Sequence, residues 1–102
     1  MHKRKEEIIV YIDPAIKELI PEFLDNSREQ ASLMEKALEK KDFVTVKRIA
    51  HNFKGNGSGY GFDKITEKGR EIESMVIGAE YEKISAKIKE LKKYLEGVKY
   101  TV

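Results

Sequence analysis

Cysteine is absent from this chain, and so are long hydrophobic runs. Without cysteine the protein has no disulfide, no thiolate nucleophile and none of the Cys/His spacings that structural zinc requires. Residues 1–7 carry several charges, and the apolar run at residues 8–12 is far too short for a secretory signal or a membrane span. We therefore expect a cytoplasmic protein with no metal site and no membrane contact.

A marked excess of positive charge is also missing. Twenty basic side chains face eighteen acidic ones, which leaves a net charge of +2. Domains that bind nucleic acid usually carry a clear basic excess on one face, so no nucleic-acid partner is expected. The length of 102 residues suits one domain, and 40% hydrophobic residues are enough for one core.

The start of the chain has the pattern of a lead-in followed by a short helix. Residues 1–12 are expected to lie extended against a helical domain of residues 13–102, because no second strand-like segment is present to pair with residues 8–12. Asp13 can cap a helix that begins at Pro14. That helix should end near Ile20, since Pro21 disfavours helical geometry in the residue before it and can open the next helix.

Four later segments show apolar residues at helical spacing. Asp42 and Asp63 are the expected N-caps of the second and third of these helices. The expected buried faces comprise Phe23, Leu24, Ser27, Ala31, Met34 and Leu38, then Phe43, Val46, Ile49, Ala50, Phe53 and Gly57, then Ile65, Gly69, Ile72 and Val76 with Met75 and Ala79 beside them, and finally Tyr81, Ile84, Ile88, Leu91, Leu95 and Val98. The pattern predicts an all-α fold, an antiparallel four-helix bundle with a short extra N-terminal helix.

Residues 50–62, AHNFKGNGSGYGF, stand apart from the rest because they combine a histidine, a lysine and four glycines. The other histidine, His2, lies at the chain start, where we expect no function. A rotation of 100° per residue places His51 about 120–140° from the centre of the buried face of its helix. This position favours a solvent-facing histidine over a core histidine bonded to a backbone carbonyl.

The neighbours of His51 on that face indicate phosphoryl chemistry with a protein partner. They are Val44, Lys47, Lys54, Gly55 and Ser58. A neutral imidazole is nucleophilic, and a phosphoryl group on it would bring a charge near −2 that Lys54 could neutralise. Gly55 leaves backbone exposed, so that another protein could approach closely. The remaining glycines have structural interpretations: Gly57 permits close helix packing, while Gly59 and Gly61 end the helix and form the turn.

A nucleotide-binding loop is the main alternative interpretation of the glycines. The segment GNGSGYG lacks a following Lys-Ser/Thr pair, follows a helix instead of a strand, and belongs to no βαβ unit. With no nucleotide site elsewhere, the phosphoryl donor is expected to be another protein.

The segment HNFKGNGSGYG resembles the H-x-x-K-G-x5-G signature of histidine-containing phosphotransfer (HPt) domains of bacterial multistep phosphorelays, and the resemblance extends from Asp13 to about Val98. It implies that His51 accepts phosphate on Nε2, that Lys54 contacts the phosphoryl group, and that Gly55 admits the partner. Gly61 corresponds to the last glycine of the signature. Asn56 departs from the family pattern, in which serine is common.

The resemblance also implies the partners. His51 would take a phosphoryl group from a phospho-aspartyl receiver domain, or from a sensor histidine kinase, and relay it to a receiver aspartate. Mg²⁺ would be held by the receiver, so this chain needs no cofactor and has no kinase activity of its own. Val44, Lys47, Arg48 and Ser58 would belong to the docking face. A monomer is expected for a different reason, because the apolar faces match one four-helix core, although the apolar run at residues 8–12 could instead cover a partner's surface.

Two other functions fit the same sequence. The chain could be a docking module that binds a receiver or kinase without turnover of phosphate, in which case His51 would be dispensable. It could also be a structural helical adaptor, in which residues around His51 have no special role.

Overall fold

The computed structural model describes residues 8–102, which are mostly helical. The long helices are α1 (Ile20–Glu39), α2 (Phe43–Asn56), α3 (Asp63–Ile77) and α4 (Tyr81–Gly97). Two 3₁₀ segments (Pro14–Leu19 and Ser58–Tyr60) and two strands, β1 (Ile8–Tyr11) and β2 (Val98–Thr101), complete the fold. The first seven residues of the predicted lead-in, which include His2, lie outside the described residues.

The first helical segment is a 3₁₀ helix that passes directly into α1. The Asp13 carboxylate accepts a hydrogen bond from the Ala15 N–H at 2.9 Å, and Pro14 follows this cap. Ile20 is already the first residue of α1, with Pro21 in its first turn. The missing N–H of a proline is tolerated there, because the first N–H groups of a helix have no intrahelical acceptor.

Asp42 caps the helix that carries His51, as predicted. Its carboxylate accepts hydrogen bonds from the Thr45 hydroxyl at 2.6 Å and from the Thr45 N–H at 3.2 Å. These bonds hold the pKa of Asp42 below its ordinary value of 3.8. The start of α2 is therefore fixed by a local side-chain interaction.

The predicted cap of α3 is wrong by one residue. Asp63 is the first residue of the helix, and the capping position belongs to Phe62, which makes no side-chain capping bond. Phe62 is fully buried, and its carbonyl accepts the Ile65 N–H at 3.0 Å. Asp63 instead places a negative charge in the first turn, where the helix dipole favours it.

The prediction that residues 8–12 have no strand to pair with is also wrong. β1 and β2 form a parallel pair that runs from Ile8 opposite Val98 to Tyr11 opposite Thr101. The apolar stripe of α4 predicts Val98 as one of its helical residues, but the Val98 backbone is extended at φ −73° and ψ 137°, and α4 ends at Gly97. Helical spacing alone did not show that the apolar residues continue into a strand.

The four helices enclose one core, with contacts between α1 and α2, α2 and α3, α3 and α4, and α4 and α1. The largest fully buried side chains are Phe62, Ile20, Met34, Ile49, Ile65, Ile72, Ile84, Ile88, Leu91, Leu95 and Val46. Two residues assigned to buried faces are exposed. Ala79 lies in the turn after α3 with φ of 55°, and Tyr81 stacks on Phe43 with ring centroids 3.9 Å apart.

A glycine on α3 brings that helix against α2. A Cβ atom on Gly69 would lie 2.6 Å from the Ala50 carbonyl oxygen and 2.6 Å from the Lys54 nitrogen. Both are backbone atoms, so they cannot move aside independently. Only a glycine fits here, and the resulting close contact lies beside the helical turn that carries His51.

The end of α2 is shaped by two other glycines and one threonine. A Cβ on Gly57 would meet the Thr66 nitrogen at 2.6 Å, so its predicted role in close packing is confirmed. Gly61 has φ of 91°, in the left-handed region that favours glycine, and lies in the turn before α3. Gly59 is exposed and has no such constraint.

Candidate functional site

His51 lies on the outer face of α2 with 63% of its side chain exposed. The alternative of a core histidine is therefore wrong, and the outward direction agrees with the helical projection. The ring is nevertheless held, because Nδ1 lies 2.8 Å from Oε2 of Glu73 on α3. An exposed imidazole with one fixed nitrogen is oriented without being enclosed.

Glu73 is the buried member of the site, with only 11% of its side chain exposed. The ammonium of Lys54 and, to a smaller extent, the bond to His51 lower the pKa of Glu73 below its ordinary value of 4.5, although burial alone would raise it. The carboxylate is therefore ionised at neutral pH. An ionised carboxylate can only accept hydrogen bonds.

This charge state sets the tautomer of a neutral His51. Because Glu73 accepts, Nδ1 must carry the hydrogen of the 2.8 Å bond. The lone pair of the neutral ring is then on Nε2. No residue between 8 and 102 forms a hydrogen bond with Nε2.

Lys54 completes a three-residue cluster. Its Nζ lies 2.8 Å from Oε1 of Glu73, and 37% of its side chain is exposed. Glu73 thus joins the imidazole and the ammonium, one to each carboxylate oxygen. Lys54 lies one turn after His51 on α2, and lysine side chains on a helix lean toward the N-terminus, which brings the ammonium back toward the histidine.

Gly55 and Ser58 follow Lys54 in the sequence, and both are exposed. A methyl group on Gly55 would meet no atom within 4 Å beyond its neighbours in the chain and the backbone of its own helix, so this position is open to solvent. The Ser58 N–H donates to the Thr66 hydroxyl at 2.8 Å, and that hydroxyl lies 3.2 Å from the Lys54 carbonyl oxygen that accepts its proton. Thr66 therefore anchors the end of α2 to α3, while Ser58 itself is exposed.

Val44, Lys47 and Arg48 occupy the turns of α2 before His51, and all three are exposed. Val44 is 80% exposed, the largest fraction among the exposed large hydrophobic residues of the described range. Neither Lys47 nor Arg48 forms a salt bridge with a residue of the described range. The face around His51 is thus apolar at one end and basic in the middle.

An open groove lies between α1 and α2, and Asn52, the residue after His51, is part of its lining. Phe53 and the stacked rings of Phe23 and Tyr60, 4.2 Å apart, form its apolar part. Asn52 and Asn56 add amides to the lining. Asn56, the departure from the resembled signature, therefore lies in this groove.

Glu73 is the site residue that sequence reasoning missed. The sequence signal was its position four residues after Gly69, at the edge of the predicted buried stripe of α3. A charged residue at such an edge needs a partner when it is desolvated. Which partner it meets depends on the contact between α2 and α3, across 22 positions of sequence.

No helix among residues 8–102 has the length and the apolar content needed to cross a bilayer. Within the same residues, no three His, Cys, Asp or Glu side chains form a metal-binding group.

Comparison with known proteins identifies the family. Curated proteins and solved structures give no significant match. The family model described as Hpt domain matches residues 18–100, a range that contains all four helices and the cluster of His51, Lys54 and Glu73. The match covers most of the chain, and we conclude that the protein belongs to the Hpt domain family, whose members take part in two-component phosphotransfer.

Proposed function

We propose that the protein is a phosphorelay intermediate that accepts a phosphoryl group on Nε2 of His51 and passes it to an aspartate of a receiver domain. The observation that carries this proposal is the 2.8 Å contact between Nδ1 of His51 and the ionised Glu73 carboxylate. It leaves the nucleophilic lone pair on the other ring nitrogen of an exposed side chain.

The transfer step needs no proton to leave the histidine. The Nε2 lone pair attacks the phosphorus of an aspartyl phosphate in line, forming an N–P bond while the bond to the aspartate oxygen breaks and its electron pair goes to the departing carboxylate. The ring becomes positively charged as Nε2 forms its new bond. Glu73, already bonded to the Nδ1 hydrogen, stabilises that positive charge.

Cations near His51 offset the charge of the phosphoryl group. Lys54 is the nearest in sequence on the C-terminal side, and its ammonium is already held 2.8 Å from Glu73. A phosphoryl group on Nε2 would compete with Glu73 for that ammonium. Lys47 and Arg48 supply further positive charge before His51, and the open backbone at Gly55 admits the partner.

The partner is a response-regulator receiver domain, or a sensor histidine kinase when phosphate enters directly. The Mg²⁺ used in the step belongs to the receiver, and this chain acts as a carrier without kinase activity. We further propose that the protein is a cytoplasmic monomer and that its four helices run antiparallel.

A transfer assay tests this function. Receiver domains are phosphorylated with acetyl phosphate, freed of the reagent, and incubated with the protein, and acid-labile phosphate on the protein is measured. We expect labelling of the wild type and of His2→Gln, the matched control at the other histidine, but none of His51→Gln. Labelling of His51→Gln equal to wild type, or no transfer from any receiver, would contradict the proposal.

A docking module without phosphate turnover is the second candidate. The exposed Val44 favours it, because an apolar side chain at the surface supports binding to a partner, and binding alone needs no nucleophile. A reconstituted relay separates the two functions. The docking module predicts that His51→Gln retains full relay output, whereas a phosphorelay intermediate predicts that the output is lost.

A further inference from the structure

An open groove lies between β2 and the first turns of α1, and we call it the strand groove. Pro21, Leu24 and Arg28 of α1 and Val98 and Tyr100 of β2 are part of its lining. Its volume of about 340 Å³ is within the range of ligand sites. Every residue of the lining belongs to α1 or β2, so the strand groove is separate from the cluster around His51.

The backbone of β2 presents unpaired polar groups at this groove. The Ile12 N–H donates to the Thr101 carbonyl oxygen at 2.8 Å, so Thr101 directs its backbone groups toward β1. Successive residues of a strand direct these groups to opposite edges, so those of Tyr100 point away from β1. Since β1 contributes nothing to the lining, that outer edge borders the groove. Among residues 8–102 neither the N–H nor the C=O of Tyr100 has a backbone partner.

Arg28 gives the strand groove a fixed cation. Its Nε donates to the Leu95 carbonyl oxygen at 3.1 Å, and its Nη1 donates to an Asp25 carboxylate oxygen at 3.2 Å. A guanidinium has five N–H donors, and its Nη2 has no partner within the described range. Lys99 is a second cation of the lining, against the single carboxylate of Asp25. The held guanidinium therefore keeps donors for a further carboxylate.

We propose that an extended acidic segment of a partner protein adds to the outer edge of β2 as a third strand and places a carboxylate on Arg28. An open strand edge is a template for another extended segment, and main-chain hydrogen bonds to Tyr100 would supply the affinity. The guanidinium would select the acidic side chain. This site is additional to the proposed phosphotransfer and does not depend on it, because a segment bound there leaves His51 uncovered.

Charge disfavours a second copy of this chain as the occupant. Two β2 edges could pair across a two-fold axis, as identical surfaces do in symmetric dimers. Each copy would then bring Arg28 and Lys99 toward the same cations of the other. An acidic segment instead brings opposite charge to the groove. It would also extend a sheet of two strands, which is marginal by itself, to three.

Titration with synthetic peptides tests the proposal. The probe is a capped hexapeptide of alternating glutamate and valine, and the control peptide has lysine in place of glutamate. The amide shifts of the ¹⁵N-labelled full chain are followed. We expect the acidic peptide to bind with a dissociation constant of about 1 mM or lower, and the lysine peptide not to bind. The Tyr100 amide should shift because it gains a hydrogen bond, whereas the Thr101 amide, which faces β1, should shift less.

Three variants isolate the charge. Arg28→Gln should weaken binding of the acidic peptide about tenfold, because a charge-assisted hydrogen bond is lost. Asp25→Asn removes the competing carboxylate and should strengthen binding. Asp25 is 78% exposed in its side chain, so this variant should fold even if Arg28→Gln, which loses the bond to Leu95, does not. Arg70→Gln is the matched control, since Arg70 is exposed on α3, and it should bind as the wild type does.

Other results would overturn the proposal. Equal binding of the two peptides would exclude selection by Arg28, and shifts along α2 without a shift at Tyr100 would place the peptide elsewhere. If acetate at the same carboxylate concentration shifts Tyr100 as the peptide does, the groove holds small anions without strand addition. A dimer in light scattering, with the Tyr100 amide already protected from exchange, would assign the edge to a second copy.

The two functions fail separately. His51→Gln should bind the acidic peptide as the wild type does, because no residue of α2 is part of the lining. A failed peptide titration therefore overturns the strand site and leaves the transfer assay unaffected. Peptide binding by a protein that no receiver phosphorylates would support the strand site and not the transfer function.

Discussion

The Oε2 atom of Glu73 lies 2.8 Å from Nδ1 of His51, although 22 positions separate the two residues in the sequence. The carboxylate is buried and its pKa is lowered, chiefly by Lys54, so it is ionised and accepts the Nδ1 hydrogen at neutral pH. One contact between α2 and α3 therefore fixes both the orientation of the ring and the nitrogen that is free to react.

Glu73→Ala removes the carboxylate that orients the His51 ring and fixes its tautomer. Without the acceptor, the hydrogen of neutral His51 is free to move between Nδ1 and Nε2, and the ring loses its fixed orientation. We expect transfer from a phosphorylated receiver to slow by about 10-fold or more, by analogy with the loss caused when the group that orients a metal-bound histidine is removed. The ¹⁵N chemical shifts of His51 should show mainly the Nδ1–H tautomer in the wild type and a mixture in the variant. Unchanged shifts would contradict the tautomer assignment.

The pH dependence of stability gives an independent check on Glu73. Its pKa in the folded protein is lower than the ordinary value of 4.5, so folding favours the ionised form. The stability that this carboxylate contributes is therefore fully present above about pH 4.5, and is lost as the pH falls through the lowered pKa.

Urea unfolding of the wild type and of Glu73→Gln between pH 3 and pH 7 measures this contribution. We expect the wild type to be the more stable protein near neutral pH, with the difference shrinking steadily below pH 4.5. Asp42, whose pKa is also lowered, is present in both proteins and cancels in the comparison. A difference that grows toward acid pH would be inconsistent with an ionised Glu73.

Helical periodicity predicted the features that depend on one helix at a time. The outward direction of His51 follows from its rotation on α2, and the Asp42 cap follows from local hydrogen bonding to Thr45. The need for glycine at position 57 was predicted because that residue falls on the buried face. These features arise within a few residues of sequence, so spacing and residue type were enough.

The sequence pattern did not predict the features that depend on contacts between distant segments. Glu73 is one acidic residue among eighteen, and only the packing of α3 on α2 distinguishes it from the others. The pairing of β1 with β2 joins the two ends of the described chain, and Val98 was assigned to the wrong element because it continues an apolar stripe. Periodicity describes each element but does not specify which elements meet.

Gly55→Ala should affect stability and function in opposite directions. Gly55 lies in the last turn of α2, and a methyl group there would meet no atom within 4 Å beyond its neighbours in the chain and the backbone of its own helix. Replacing a helical glycine by alanine should stabilise the protein by up to about 1 kcal/mol. If a partner approaches the backbone at this position, the methyl group should weaken receiver binding. Thermal unfolding and calorimetric titration measure the two effects, and a variant that is more stable and binds equally well would remove Gly55 from the docking face.

Gly69→Ala is the same substitution at a buried position, whereas Gly55 is exposed. The added Cβ would lie 2.6 Å from backbone atoms of Ala50 and Lys54, so α2 and α3 must separate to accommodate it. Overpacking of this kind costs about 1–3 kcal/mol, and we expect the crowding to exceed the helix-propensity gain of about 1 kcal/mol. The net result should be a less stable protein, with Gly55→Ala as the matched control.

Separation of α2 from α3 would also lengthen the contact between Glu73 and His51. We therefore expect Gly69→Ala to weaken the Nδ1–H signature of His51 and to slow transfer, although the added methyl group lies closest to Ala50, Lys54 and Phe53 and not to His51. Urea unfolding, ¹⁵N shifts and the transfer assay measure the three effects on one protein. If the variant is destabilised but keeps the wild-type tautomer and transfer rate, the imidazole must be oriented by something other than the close packing of these two helices.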